Sequence, residues 1–173
     1  KTFQAAEPVL LLEKLREKEN VIQDIIDHVK SKEKSQVQVR IFEGKKGLEL
    51  VYRDILDTGE DYYALGATGN IYKTLGTTYE NFCKIRADND VMLYAIYDQS
   101  KRGNPTTRFP NMESRYLPKQ HVSPINTTIY GDKVAMYIWT SHPPTPIVLQ
   151  IQSPQVSQAF KSYFDVVWSI SIE

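Results

Sequence analysis

Three histidines and one cysteine are the side chains best suited to nucleophilic, acid–base or metal chemistry. His28, His121 and His142 stand far apart, on a helix face, in a loop and in a proline-rich turn. None belongs to a His-x-His, His-Glu-x-x-His or Cys-x-x-Cys arrangement, so neither a metal site nor a catalytic pair is expected. Isolated histidines of this kind are mostly packing or surface residues. Cys83 falls beside the apolar face of a helical segment, where a buried structural thiol is the default over a nucleophile. No catalytic residue, metal or cofactor is therefore expected.

Residues suited to binding are better placed. Gly66-Ala67-Thr68-Gly69-Asn70 follows a strand pattern and opens a helical one. There, backbone N–H groups and the helix dipole can receive an anion or a sugar hydroxyl. The loop matches neither the dinucleotide nor the P-loop pattern. Asp98, at the end of the next strand, and Arg102 beyond it project toward the same edge. The candidate ligand-binding residues are Gly66, Thr68, Asn70, Asp98, Arg102 and Thr127, with Tyr97 and Arg115 behind them. A plain strand–helix turn and a solvated loop pair account for several of these equally well, and both readings stay open. Eleven tyrosines, several on strand patterns, suit a small-molecule pocket or a core.

The elements that must position these residues follow from periodicity. After Glu7-Pro8, Leu12, Leu15, Ile22, Ile26 and Val29 recur at three- and four-residue steps, a heptad-like stripe on a helix of roughly six turns. A long, terminal helix charged on its other faces is read as a homodimer seam. Residues 1–35 form this connector, with a solvated linker at its end, and 36–173 form an α/β domain. Residues 37–42 are a strand. Leu48, Val51, Tyr52, Ile55 and Leu56 mark one helix face, closed by Gly59. Residues 61–66 are a strand, 71–86 a helix with Ile85 on its inner face, and 91–97 a near-continuous apolar strand of a buried position. This β-α-β-α-β order implies a parallel sheet with helical crossovers. Residues 98–111 form a long polar loop, 113–117 a short strand, 147–151 another, and a helix capped at Ser153 closes the chain. Between them, residues 124–140 read as a hairpin around Tyr130-Gly131-Asp132-Lys133, with Gly131 supplying the positive φ such turns require.

Composition excludes some functions. Twenty-one basic and twenty-one acidic residues cancel, leaving no global field to attract DNA. No apolar run approaches the ~20 residues of a membrane helix, and one cysteine fits a reducing cytoplasm. The first residue is Lys1, which suggests a fragment of a longer chain.

Several segments together carry a family resemblance. Phe3-Gln4-Ala5-Ala6-Glu7-Pro8, Val39-Arg40-Ile41-Phe42-Glu43-Gly44-Lys45-Lys46-Gly47, Arg115-Tyr116-Leu117-Pro118-Lys119 and Phe160-Lys161-Ser162-Tyr163-Phe164-Asp165-Val166-Val167-Trp168 resemble, in order and spacing, the C-terminal part of TrmB-like transcriptional regulators. Ile129-Tyr130-Gly131-Asp132-Lys133-Val134 fits the same pattern. Such regulators, mostly archaeal, join a winged-helix DNA-binding domain through a dimerising helix to an effector domain. That effector domain is similar to half of a phospholipase D-type fold. The resemblance implies a mixed, mostly parallel sheet flanked by helices and DNA contact only through a domain outside this chain. It also implies a small-molecule effector. The best-known relatives bind maltose-type sugars, which makes a sugar one candidate.

Phospholipase D-type enzymes need a His, a Lys two residues later and an Asp or Asn five further on. With Asp132 in the last position, Ile125 stands at the His and Thr127 at the Lys. Ile125 cannot serve as the attacking His, and Thr127 lacks the ammonium with which the Lys binds the phosphate oxygens. An effector sensor, not an enzyme, is the expected function. A phosphodiesterase with a site shared across a dimer, and a dimerisation module without ligand, are the alternatives.

Overall fold

The computed structural model describes residues 37–117, 125–140 and 145–172, with scattered helical positions between 16 and 23. The chain divides into two units, Lys1–Gln36 and Val37–Glu173. Within the first, Arg16, Lys18, Glu19, Asn20, Ile22 and Gln23 are helical. The dimer seam expected there lies outside the described residues, as do the linker, His28, His121, His142 and most of the proline-rich turn.

The second unit is built on one seven-stranded sheet. Its strands are β1 (Gln38–Glu43), β2 (Tyr62–Ala67), β3 (Leu93–Tyr97), β4 (Met112–Tyr116), β5 (Asn126–Tyr130), β6 (Lys133–Thr140) and β7 (Thr145–Gln152). They lie in the order β1-β7-β6-β5-β2-β3-β4. The helices are α1 (Gly44–Thr58), α2 (Asn70–Leu75), α3 (Thr77–Asp88) and α4 (Pro154–Ile170). The sheet is mixed and flanked by helices, as expected. β1, β2, β3, β4 and β6 run one way, and β5 and β7 the other.

Alternation divides the strands between two cores. Tyr62, Ala64, Leu93, Ala95, Tyr97, Ala135, Tyr137 and Val148 face α1 and the α2–α3 pair. From α1, Leu48, Val51, Tyr52 and Ile55 cover them, the stripe read from the sequence. Each such side chain, once buried, contributes about 1.5–3 kcal/mol. On the other face, Tyr63, Leu65, Tyr94, Ile96, Ile129 and Val134 meet Val156, Phe160, Phe164, Val167 and Trp168 of α4. Ser153 caps α4 by accepting from the Val156 N–H.

Three expectations need correction. Of the first three strands only β2 and β3 pair in parallel; β1 instead lies at the far edge, antiparallel to β7 over six register pairs. Its partner comes from the opposite end of the domain, which no local pattern encodes. The helix read over 71–86 is two helices, because Gly76 (φ 53°, ψ −124°) breaks it. Ile85 is exposed rather than inward, since Tyr79, Phe82, Cys83 and Arg86 make up the buried face of the second helix. The hairpin is as read: Tyr130 pairs with Lys133 and Gly131 has φ +48°.

Candidate functional site

The parallel strands β2, β3 and β4 bring their carboxyl ends to one sheet edge, where β5 begins and β6 ends. Two loops meet there because of local turn chemistry. Between Leu65 and Ala67 the register shifts, with Gly66 at φ +72°, so β2 ends in a bulge. In the loop that follows, the Thr68 hydroxyl accepts from the Asn70 N–H (3.4 Å). Gly69 has φ +75°, and a Cβ built on it would lie 2.9 Å from the Asn104 amide nitrogen. Asn104, in the loop after β3, accepts from the Thr106 N–H (3.0 Å) and hydroxyl (2.9 Å). The Tyr97 hydroxyl donates to the Thr106 carbonyl (3.2 Å). Glycine at 69 thus allows the closest approach of the two loops.

Beneath them is a cavity of about 30 Å³ lined by Ala67, Gly69, Tyr97, Thr106, Asn126 and Thr128, with Tyr62, Tyr52 and Tyr79 deeper. It has room for one or two water-sized groups. Asn126 is 5% exposed and Tyr62 2% exposed. The Asn126 Oδ1 and the Tyr62 hydroxyl, both buried here, have no hydrogen-bond partner among the described residues. Buried polar atoms are nearly always paired, and an orphan costs about 1–3 kcal/mol.

The electrostatics favour a neutral guest. Burial pushes the Tyr62 hydroxyl well above its ordinary range, against the pull of Arg86. Burial likewise raises Tyr97 to about 12. Both are uncharged donors at neutral pH. The cavity lining contains no charged side chain. Arg86, 5.8 Å from the Tyr62 ring centre, spends its guanidinium on the carbonyls of Val91, Pro110 and Asn111.

The sequence candidates separate into two groups. Gly66, Thr68, Asn70 and Tyr97 gather at this edge. Asp98 is there too, but its carboxylate accepts from the Ser100 N–H (2.7 Å) within its own loop. Arg102 stacks over Tyr116 of β4, 4.1 Å from the ring. Thr127 and Arg115 do not join them, because both sit on the α4 side of the sheet. There Thr127 is buried opposite Leu65 and Met136. Arg115 lies 4.5 Å over Trp168 and donates to its carbonyl (3.1 Å). Asn126, Thr106, Asn104 and Tyr62 were not anticipated. Asn104-Pro105 carries a legible cap signature, and Asn126 is a polar residue in a strand buried along its whole length.

The far end of the hairpin is structural. Asp54 of α1 receives Lys133 (2.7 Å), Tyr130 (2.9 Å) and Gln150 (2.9 Å). Asp132 receives the Gln152 amide (3.0 Å), and its carbonyl accepts from the Ser153 N–H (2.8 Å). Among the described residues there is no group of three metal-type side chains and no helix long and apolar enough to cross a membrane.

No family model matches the chain, and no curated protein matches it by sequence. Solved structures do. TrmBL2, an archaeal chromatin protein with a novel mode of DNA binding, is 15% identical at a TM-score of 0.53. The match covers 94% of this chain and 64% of TrmBL2, so the chain spans under two thirds of that protein. NucT from Helicobacter pylori is 14% identical at a TM-score of 0.53, covering 79% of this chain and 98% of NucT. Nuc from Salmonella typhimurium, a phospholipase D family member, is 14% identical at a TM-score of 0.52, covering 78% and 96%. The α/β domain of this chain has the phospholipase D-like fold shared by these proteins.

Proposed function

We propose that this chain is the effector-sensing part of a TrmB-like, cytoplasmic transcriptional regulator and catalyses no reaction. A small neutral molecule would place one hydrogen-bonding group in the cavity at the sheet edge. Its remainder would sit among the loops at 68–70 and 98–106. DNA would be contacted only by a further domain, and a homodimer through the helix of residues 1–35 would pass the signal on. To do so, the effector must bind one arrangement of the dimer better than the other.

The carrying observation is the cavity itself: among the described residues it leaves two buried polar side chains without partners, Asn126 at the edge where α/β sheets take ligands and Tyr62, from the start of β2, deeper in its lining. The fold likeness to TrmBL2 supports the regulator class. A thermal-shift screen of sugars, nucleotides and amino acids tests it. A ligand at a hundred times its Kd adds about 2.7 kcal/mol, a rise of about 5–10 °C for a domain of this size. No stabilisation by any class would refute the sensor reading.

The likeness to Nuc and NucT favours a second reading, a phosphodiesterase. Hydrolysis of a generic phosphodiester that is lost on His121→Ala or His142→Ala would establish it. With Asp132 set at the last position of the enzymes' pattern, Ile125 and Thr127 fall at its His and Lys and speak against it.

A further inference from the structure

At about 30 Å³ the cavity takes a hydroxyl or an amide nitrogen, but not the body of a ligand behind it. For a larger guest one of its walls must move, and the walls differ in how firmly they are held. The floor is the sheet, with β2 laced to β3 on one side and to β5 on the other. Above it, α1 holds Tyr52 in place through Leu48, Val51 and Ile55, all three fully buried. α3 contributes Tyr79 and is fixed at its far end by Arg86 on the carbonyls of Val91, Pro110 and Asn111. The loop after β3 is knit by Asn104 on Thr106 and by Tyr97 on the Thr106 carbonyl. The remaining wall, Gly69 and Ile71, belongs to α2 and its entrance.

α2 is the least anchored of these. Its six residues make fewer than two turns, well short of the ~12–15 that a helix needs to hold itself in water. A glycine stands at each end. Gly69 has φ +75°, and Gly76 has φ 53° with ψ −124°, a conformation that side chains rarely adopt. Both ends therefore sit where the backbone turns most freely, as at a hinge. Among the described residues no backbone hydrogen bond ties α2 to the sheet. Side chains hold it down instead. Ile71 and Leu75 are buried, the Tyr72 hydroxyl donates to the Glu80 carboxylate of α3 (2.7 Å), and the Tyr72 ring lies 6.0 Å from that of Phe109.

We propose that α2 is a lid over the cavity, turning as a unit about Gly69 and Gly76. Opening lifts Ile71 out of the cavity wall, and Tyr72, set against Glu80 and Phe109, latches the lid shut. The lid serves the same cavity as the sensor reading. Its motion needs no effector, so a test without ligand separates the two.

Thiol labelling of the full chain measures the motion. The thiol introduced by Ile71→Cys lies under the lid, and native Cys83, buried on α3, lies in the same core outside it. The introduced thiol should react with N-ethylmaleimide at least about tenfold faster than Cys83, because it is exposed by local opening rather than by unfolding. Adding Tyr72→Phe removes one exposed hydrogen bond, and should speed the introduced thiol about threefold while leaving Cys83 unchanged. Hydrogen exchange on the unsubstituted chain gives an independent reading. The Gly76 amide, bonded to the Tyr72 carbonyl (2.8 Å), should exchange at least about tenfold faster than amides in the middle of α3. Equal labelling rates for the two thiols, or a Gly76 amide as protected as those of α3, would overturn the lid. A latch substitution that leaves the introduced thiol's rate unchanged would overturn it as well.

Discussion

Arg86 buries a guanidinium whose two amino groups donate to backbone carbonyls, Val91 at 2.9 Å, Asn111 at 2.5 Å and Pro110 at 2.5 Å, while its Nε has no partner among the described residues. It ties the end of α3 to the segments entering β3 and β4. Arg86→Met leaves the buried Val91 carbonyl and the part-buried Pro110 carbonyl without this donor, while Asn111 keeps the Leu93 N–H. At about 1–3 kcal/mol for a buried unpaired group, urea unfolding should show a loss of about 2 kcal/mol. Arg86→Lys should recover little, because one ammonium cannot reproduce the planar fork. Tyr62→Phe has the opposite expectation. Removing an orphaned hydroxyl should leave stability unchanged or slightly raised, while lowering the shift given by any ligand that stabilises the wild type. Cys83, nearby, has its thiol pushed by burial from 9.0 to about 11. Between these values the unfolded thiol has ionised and the folded one has not, so unfolding releases a proton. Stability is therefore intact below pH 9 and falls as pH rises toward 11, by up to about 1.4 kcal/mol per unit. Cys83→Ala should flatten that part of the profile in denaturant titrations, and the native thiol should resist labelling at pH 8.

Among the elements, the hairpin shows how a local signal is completed by distant contacts. Its turn was readable because Gly131-Asp132 sits between alternating strands. The Asp54 network that fastens it to α1 was not, since Lys133, Tyr130 and Gln150 meet Asp54 across 76 to 96 residues of chain. Asp54→Ala removes the acceptor of three donors and should cost about 2–3 kcal/mol. Lys133→Met removes one partly exposed ion pair and should cost under about 1 kcal/mol. Equal losses in equilibrium unfolding would contradict this hierarchy. At the other edge, Gly69→Ala places a methyl against Asn104 and strains a backbone at φ +75°. It should force the two loops apart and abolish ligand-induced stabilisation while leaving the folded spectrum by circular dichroism intact.

For the whole molecule, the candidate site was half legible. Gly66, Thr68, Asn70 and Tyr97 lie together at one edge because strand–loop–helix order puts carboxyl ends there. Thr127 and Arg115 went astray because sequence cannot say which face of a mixed sheet a residue occupies until the neighbours of its strand are known. What the sequence determined by itself was local: the α1 stripe, the Gly59 and Ser153 caps, the hairpin, and the lack of His and Lys at positions 125 and 127. Each depends on residues within a few turns or pleats of one another, so periodicity and turn sterics encode it directly. Only the tertiary structure decided the rest. It paired β1 with β7, split the middle helix at Gly76 and closed a polar cavity between two loops. Strand order and the partner of a buried polar atom depend on contacts between distant segments, which are set by the joint packing of the sheet and its helices.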